Sequence, residues 1–316
     1  MRKITCLTQI GVKHCPDSGK GVHKWIYYAA CSCRRAGIAA HGAIALIEQA
    51  MTRDPQPSNE VEQAVNAAYS IKSETQASKR FPVCDMDMVR AVVKNGISFE
   101  ELKKRSPISN PKQSEVLAAL FKPDELLCAG HMSFAPKIYL LPEDTRRWSF
   151  TNAQFIVPSP MSAVRGLTKD GKISARSHSN TGPRRWLVIE CDFRPADAES
   201  LGVKSTFDLC AAVLWKLNEY RPLVLVVSSG SKSLHGWFPV QPNEPETYKK
   251  SRFWKFIAGA CKLGADSSSE RKCQWMRMPG GIRRSENGKI MIGADGHPII
   301  QEIVYFNLDA ARRYLP

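Results

Sequence analysis

Two acids separated by one residue, Glu190 and Asp192, stand at the end of the apolar run LVIECDF. On a β-strand, residues two apart project to the same face, so the two carboxylates are expected side by side. Adjacent carboxylates repel each other unless a cation lies between them, and Mg²⁺ and Mn²⁺ prefer carboxylate oxygens. The pattern therefore predicts a divalent-metal site, and an edge strand with an acidic solvent face is the alternative.

A second candidate site lies in the segment VVSSGSKSLHGWFPV, which runs from 226 to 240. An apolar strand enters a turn of small residues, and a second strand that carries His235 follows. Ser229, Lys232 and Ser233 offer hydroxyls, backbone amides and an ammonium group to a phosphate. His235 is two residues from Ser233 and is expected on the same face of its strand. An ordinary hairpin with a hydrogen-bonded histidine is the alternative.

The segment LGADSSSERKCQWMRMPGGIRR, residues 263–284, adds an acid and an arginine. Asp266 follows a predicted helix, where a solvated cap is the alternative to a metal ligand. Arg277 lies in an apolar run that stops at a Pro-Gly-Gly turn. A guanidinium group beside such a turn suits phosphate binding.

Taken in order, the three segments resemble the motifs of the archaeo-eukaryotic primase superfamily of primases and primase-polymerases. Glu190 and Asp192 are similar to its first motif, the SGxxSxH segment to its second, and Asp266 to its third. The RMPG sequence that begins at Arg277 is similar to the R-apolar-P-G segment that follows in the family. The resemblance covers about 185–284 and implies that the three acids hold two divalent metal ions, Mg²⁺ or Mn²⁺.

The same resemblance implies the roles of the remaining residues. The catalytic residues would be Glu190, Asp192, Asp266 and His235, and the triphosphate of the nucleotide would be bound by Ser229, Lys232, Ser233, His235 and Arg277. The first motif here is E-C-D, where D-x-D or D-x-E is commoner, and we still expect the glutamate to ligate metal. The zinc-binding insertion of several members has no clear counterpart, so no zinc is predicted. The expected activity is primer synthesis on single-stranded DNA in phage or mobile-element replication.

A basic segment, RGLTKDGKISARSHSNTGPRR at 165–185, precedes the acidic strand. Its six basic residues and one acid predict contacts with the phosphates of template or nucleotide, and a solvated basic loop is the alternative. The basic residues are Arg165, Lys169, Lys172, Arg176, Arg184 and Arg185.

The elements that would position these residues form two regions. Residues 1–110 are predicted to be helical, with a three-helix unit at about 24–70 and two short helices at about 86–105. Two prolines in 106–112 mark the expected boundary. From 113 to 316, short β-type runs mixed with helical patterns predict an α+β domain. The resemblance makes this region a primase-polymerase catalytic domain with a mixed sheet.

The composition supports a polyanionic partner. The 316 residues carry 45 Lys and Arg against 30 Asp and Glu, a net charge of +15, which favours single-stranded DNA and NTP or dNTP as partners. No GxxxxGK[ST] sequence occurs, so a replicative helicase would be a separate protein. No apolar run is long enough for a membrane span, and the ten cysteines form no CxxC. We therefore expect a cytoplasmic protein of a bacterial cell, encoded by a phage or a plasmid.

Three other functions stay open from the sequence. A repair polymerase of the same fold would extend a primer but not start one. A catalytically silent replication initiator would only bind DNA, and a nuclease would use the same acids. The complete set of three acids with His235 favours an enzyme, and the SGxxSxH segment favours a triphosphate over the substrate of a nuclease.

Overall fold

The computed structural model of the chain describes residues 6–10, 12–16, 21–70, 81–241, 244 and 251–315. The chain separates into two compact units, residues 1–80 and 81–316. The domain boundary expected at 110–113 is therefore wrong, because the division falls between residues 80 and 81.

The first unit contains the expected three helices. A short 3₁₀ helix precedes them, and the bounds are Leu7–Ile10 for the 3₁₀ helix, Val22–Arg35 for α1, Ala40–Ala50 for α2 and Glu60–Ser70 for α3. Their apolar faces meet in one core that includes Ile26, Ile47 and Val65. Cys33 belongs to the same core, where burial raises the pKa of its thiol. This cysteine therefore packs as a small neutral side chain.

The second unit combines helices with short strands. Its α-helices are α4 (Met86–Lys94), α5 (Phe99–Lys104), α6 (Gln113–Leu120), α7 (Pro195–Ser200), α8 (Thr206–Asn218), α9 (Arg252–Lys262) and α10 (Leu308–Tyr314), with 3₁₀ helices at Thr145–Arg147 and Ser267–Glu270. Its strands are β1 (Leu126–Gly130), β2 (Lys137–Leu140), β3 (Phe155–Ile156), β4 (Gly166–Leu167), β5 (Ile173–Ser174), β6 (Trp186–Cys191), β7 (Leu225–Ser228), β8 (Leu234–Pro239), β9 (Met276–Arg277) and β10 (Ile303–Phe306). The expected α+β class is confirmed.

The described strands form two four-stranded sheets and one two-stranded sheet. The first sheet has the order β2-β1-β3-β9, the second has the order β10-β7-β8-β6, and β4 pairs with β5. Every ladder among the described strands is antiparallel, so the expected mixed sheet is wrong. The reason lies in β8, which pairs with both β6 and β7. It separates these two strands, which the α7–α8 crossover would otherwise leave as parallel neighbours.

The second sheet is covered on both faces. Along β6, Leu187 and Ile189 join the core formed with α8 and α9, whereas Trp186 and Val188 join the core that contains residues of the first sheet. This alternation follows from the two-residue period of a strand. Glu190 continues the second set, so its side chain points to the side where the two sheets meet.

The two short helices expected at 86–105 are present as α4 and α5, but they belong to the second unit. Val89 and Leu102 are fully buried in the core that α8 helps to form. Gly96, between the two helices, lies so close to α8 that a Cβ atom there would be 2.7 Å from the Cβ of Ala212. This packing is why the boundary precedes α4.

Two further features complete the fold. Asp295 and Gly296 form a hairpin turn, in which the amide of Gly293 donates to the carbonyl of His297 at 2.8 Å. Within the described residues, no helix is both long and apolar enough to span a membrane.

Candidate active site

The backbone brings the three predicted metal acids to one place. Glu190 lies near the end of β6, and Asp192 follows that strand directly. The amide of Asp266 donates to the carbonyl of Glu190 at 2.9 Å, and Ala265 forms a β-bridge with Cys191. The third acid is therefore hydrogen-bonded to the strand that carries the first.

Each of the three carboxylates has a different neighbour. Asp192 Oδ1 lies 3.0 Å from Lys232 Nζ, and Asp266 accepts 2.8 Å hydrogen bonds from the amide and the hydroxyl of Ser268. Glu190 Oε1 lies 3.5 Å from Nε2 of His235. In the described part of the chain, no three His, Cys, Asp or Glu side chains form a preassembled metal-ligand group. Metal binding would therefore require Asp192 and Asp266 to turn from these neighbours.

The three acids are nevertheless close enough to interact electrostatically. Burial raises the pKa of Glu190, Arg277 acts in the opposite direction, and the charges of Asp266 and Asp192 raise it further. The net effect is a pKa above the ordinary range for a glutamate. A bound cation would relieve the cost of holding this group ionised, as would a proton.

We expect Glu190→Gln to stabilise the protein against heat at about pH 8 without divalent ions. The pKa of Glu190 is higher in the folded than in the unfolded protein. At a pH above the folded pKa, the ionised carboxylate therefore lowers the free energy of unfolding. This loss of stability disappears as the pH falls through the unfolded pKa, because the group is then protonated in both states. Each kcal/mol gained corresponds to about 2–4 °C in Tm for a unit of this size.

Differential scanning calorimetry from about pH 8 to about pH 4 checks this expectation, because the difference in Tm between Glu190→Gln and the wild type must decrease as the pH falls. Glu199→Gln, a change at an exposed acid on α7, is the control and should show no such trend. An equal or lower Tm for Glu190→Gln at about pH 8 would contradict the assigned cost.

His235 is a deeply buried polar group of this site. It faces Glu190 across the β6–β8 ladder and is 2% exposed. Burial, aided by the charge of Arg277, lowers its pKa to about 3, so the ring is neutral near pH 7. Neither ring nitrogen has a hydrogen-bond partner among the described residues. Since an unsatisfied buried polar group costs about 1–3 kcal/mol, the ring is suited to a polar ligand.

Two arginines supply the positive side of the site. Arg277, on β9, lies with its guanidinium group 5.1 Å from the ring centre of Phe155. Burial lowers its pKa, as does the neighbouring charge of Arg283, whereas Glu190 raises it. Arg283 donates a short hydrogen bond to the carbonyl of Ser229 in the turn before β8. Two like charges held together and half-buried are typical of an anion-binding site.

Arg283 is a site residue that the sequence reasoning missed. The signal was the Arg-Arg pair one residue after the Pro-Gly-Gly turn, because the first arginine of that pair hydrogen-bonds to the turn between β7 and β8. Arg284, its neighbour, instead donates to the carbonyl of Gly288 at 3.1 Å.

Ser229 and Ser233 close the β7–β8 turn by hydrogen bonds to each other. The hydroxyl of Ser229 accepts from the amide of Ser233 at 3.2 Å, and the amide of Ser229 donates to the carbonyl of Ser233 at 2.9 Å. Gly230, with a φ of 76°, allows the tight turn. Ser229 is only 1% exposed and closes this turn, so its hydroxyl is a structural group rather than a ready nucleotide ligand. Lys232 is exposed at the same turn, beside Asp192.

The basic segment 165–185 divides into two sets. Arg184 donates to the carbonyl of Glu270, Arg185 forms a two-bonded ion pair with Glu125, and Arg176 donates to the carbonyl of Cys273. These three arginines therefore contribute hydrogen bonds to the fold, and their expected role as nucleic-acid ligands stays a prediction. The cations that stay exposed lie on the β4–β5 hairpin and are Arg165, Lys169 and Lys172.

Comparison of the chain with protein-family models, with curated proteins and with solved structures gives no match.

Proposed function

We propose that this protein is a template-directed nucleotidyltransferase, a DNA primase or primase-polymerase, built on the catalytic fold of the archaeo-eukaryotic superfamily. One observation carries the proposal. The backbone of Asp266 is hydrogen-bonded to the strand that carries Glu190. Beside Glu190 lie a buried neutral histidine and two half-buried arginines. Acids on one side and cations on the other match a reaction in which a triphosphate is attacked by a hydroxyl group.

The donor set fits divalent metal ions in its chemistry. Glu190, Asp192 and Asp266 offer the carboxylate oxygens that Mg²⁺ and Mn²⁺ prefer, and the raised pKa of Glu190 favours a nearby cation. When bound, two such ions would lower the pKa of the attacking 3′-hydroxyl and stabilise the leaving pyrophosphate.

The cationic residues would bind the triphosphate. Arg277 can use its planar fork of donors on phosphate oxygens, and Arg283 already holds the turn that faces the same space. His235, neutral near pH 7, can donate one N–H to a phosphate oxygen without adding a further charge. Lys232 would exchange its contact with Asp192 for a phosphate, which frees that carboxylate for metal.

The β4–β5 hairpin is the part of the basic segment that we assign to the template strand. Leu167 and Ile173 are directly opposite each other and are 58% and 69% exposed. Arg165, Lys169 and Lys172 surround this apolar pair. Cations for the phosphates and apolar side chains for the bases form a surface suited to single-stranded DNA.

Reversing the charges of Arg165, Lys169 and Lys172 should lower the affinity for single-stranded DNA. It should also make that affinity less dependent on salt concentration. If each cation neutralises one phosphate, the slope of log affinity against log salt concentration should become shallower by about 2. Fluorescence anisotropy with labelled oligonucleotides at several salt concentrations measures this slope for the triple variant Arg165→Glu, Lys169→Glu, Lys172→Glu.

The matched control has the same change of charge elsewhere in the unit: Lys104→Glu, Arg312→Glu, Arg313→Glu, all at exposed positions. If both triple variants lose the same affinity and slope, the hairpin has no special part in binding and the net charge alone accounts for it.

The test of the proposal is synthesis on unprimed single-stranded DNA with labelled nucleotides and Mg²⁺ or Mn²⁺. Short products from the wild type would support a primase. Extension that requires a primer would favour the repair polymerase, and DNA binding without any synthesis would favour the silent initiator. Degradation of the template would indicate a nuclease. In the first case the protein would act in a bacterial cytoplasm, on phage or plasmid DNA, with a separate helicase.

A further inference from the structure

A groove lies on the helical side of the second unit, on the face of its sheet opposite to Glu190 and His235. It has a volume of about 500 Å³ and is bounded by α4, the end of α8, and α9. Its floor is apolar and includes Leu217, Phe256 and Leu263. Met88 and Tyr220 line it as large apolar side chains that are 41% and 64% exposed.

The rim of the groove is positively charged. Lys216 pairs with Glu219, and Arg221 pairs with Glu244. Arg252, Lys255 and Lys262 also line the groove, and they are exposed and form no ion pair with another described residue. An acidic ligand would therefore be attracted to this surface.

These three cations and Gly259 form one stripe along α9. Their positions, 252, 255, 259 and 262, follow each other at intervals of three, four and three residues. This spacing places the four residues on one face of the helix. The stripe faces the groove, because all four residues line it.

Packing within the described chain does not explain why residue 259 is a glycine. It lies within α9, one turn before the end of the helix, where glycine is less favourable than alanine, and a Cβ atom there would meet no described atom within 4 Å. A side chain would be accommodated by the fold but would fill the centre of the groove. The absence of a side chain is useful if a second helix approaches closely at this point, since the distance between packed helices depends on the side chains at the contact.

We propose that the groove over Gly259 binds an acidic amphipathic helix of a partner protein. The apolar face of that helix would cover the floor of the groove, with its closest approach at Gly259. Its acidic flanks would pair with Arg252, Lys255 and Lys262. The length of the stripe along α9 and the glycine favour a helix over a small anion, and the apolar floor favours it over a nucleic acid.

The probe is a fluorescein-labelled peptide of three heptads with Leu at the a and d positions and Glu at the flanking positions. Its twin has Lys in place of each Glu. Fluorescence anisotropy on the full chain should show binding of the acidic peptide at least about tenfold tighter than of the basic twin, the equivalent of about 1.4 kcal/mol. No binding of the acidic peptide, or equal binding of both, would overturn the proposal.

Two variants locate the binding surface. Gly259→Leu should weaken binding of the acidic peptide at least about tenfold, and its Tm should not fall, because leucine favours a helix more than glycine does. Lys255→Glu with Lys262→Glu should weaken binding to a similar degree. The control is Lys104→Glu on α5, which does not line the groove and should bind as the wild type does. Unchanged binding by Gly259→Leu, with circular dichroism showing an intact fold, would overturn the site.

Discussion

Asp192→Ala should abolish template-directed synthesis, lowering the rate by about 10³-fold or more, while the fold stays intact. Asp192 is exposed, follows β6 directly, and raises the pKa of Glu190 through its charge. Removing it takes away one of three carboxylates proposed to hold the divalent ions, and losses of this size are typical when charge stabilisation in a transition state is removed. The measurement is product formation by purified protein on unprimed and primed templates.

Asp309→Asn is the control for this variant, because it removes an exposed carboxylate in the first turn of α10. It should synthesise at the rate of the wild type. Circular dichroism and the thermal midpoint must show that Asp192→Ala is folded. Wild-type synthesis by a folded, pure Asp192→Ala sample would remove the two-metal assignment and with it the proposed activity.

Arg277→Met should weaken binding of a nucleoside triphosphate about 10- to 100-fold. Arg277 is half-buried and close enough to Glu190, His235 and Arg283 for its charge to act on each of them, or theirs on it. A hydrogen bond to a charged group contributes about 1.5–3 kcal/mol, which corresponds to this range of affinity. Isothermal titration calorimetry with a dNTP and Mg²⁺ or Mn²⁺ measures the change.

Two further variants make this result specific. Arg277→Lys keeps the charge but lacks the planar fork, so it should recover only part of the affinity. Arg105→Met is the control, since Arg105 also lies over an aromatic ring, that of Trp215 at 4.8 Å. If Arg277→Met binds nucleotide as tightly as Arg105→Met does, the arginine pair is not the triphosphate site.

The domain boundary shows where local patterns stop being sufficient. The helices α4 and α5 are recognisable from local spacing alone, because a helix is determined by residues three and four apart. The unit to which they belong is not determined locally, because it depends on the contact of Val89, Gly96 and Leu102 with the layer of α8. A proline-rich segment at 106–112 therefore suggested a division that the core does not have.

The roles of the arginines depended equally on distant residues. Arg185 has the same side chain and the same basic neighbourhood as Arg165, yet its partner Glu125 is far away in the chain. Arg283 belongs to the site only because it hydrogen-bonds to the carbonyl of Ser229, in the turn before β8. No spacing rule distinguishes a cation that faces solvent from one that finds a carboxylate or a carbonyl after folding.

By itself, the sequence determined the helices of the first unit and the α+β class of the second, since periodicity is a local property of the chain. Tertiary structure alone decided that Asp266 hydrogen-bonds beside Glu190 and that His235 is buried and neutral. It also decided that every described ladder is antiparallel. These properties arise from contacts between segments far apart in the chain, and burial, not residue type, sets the charge state of the histidine.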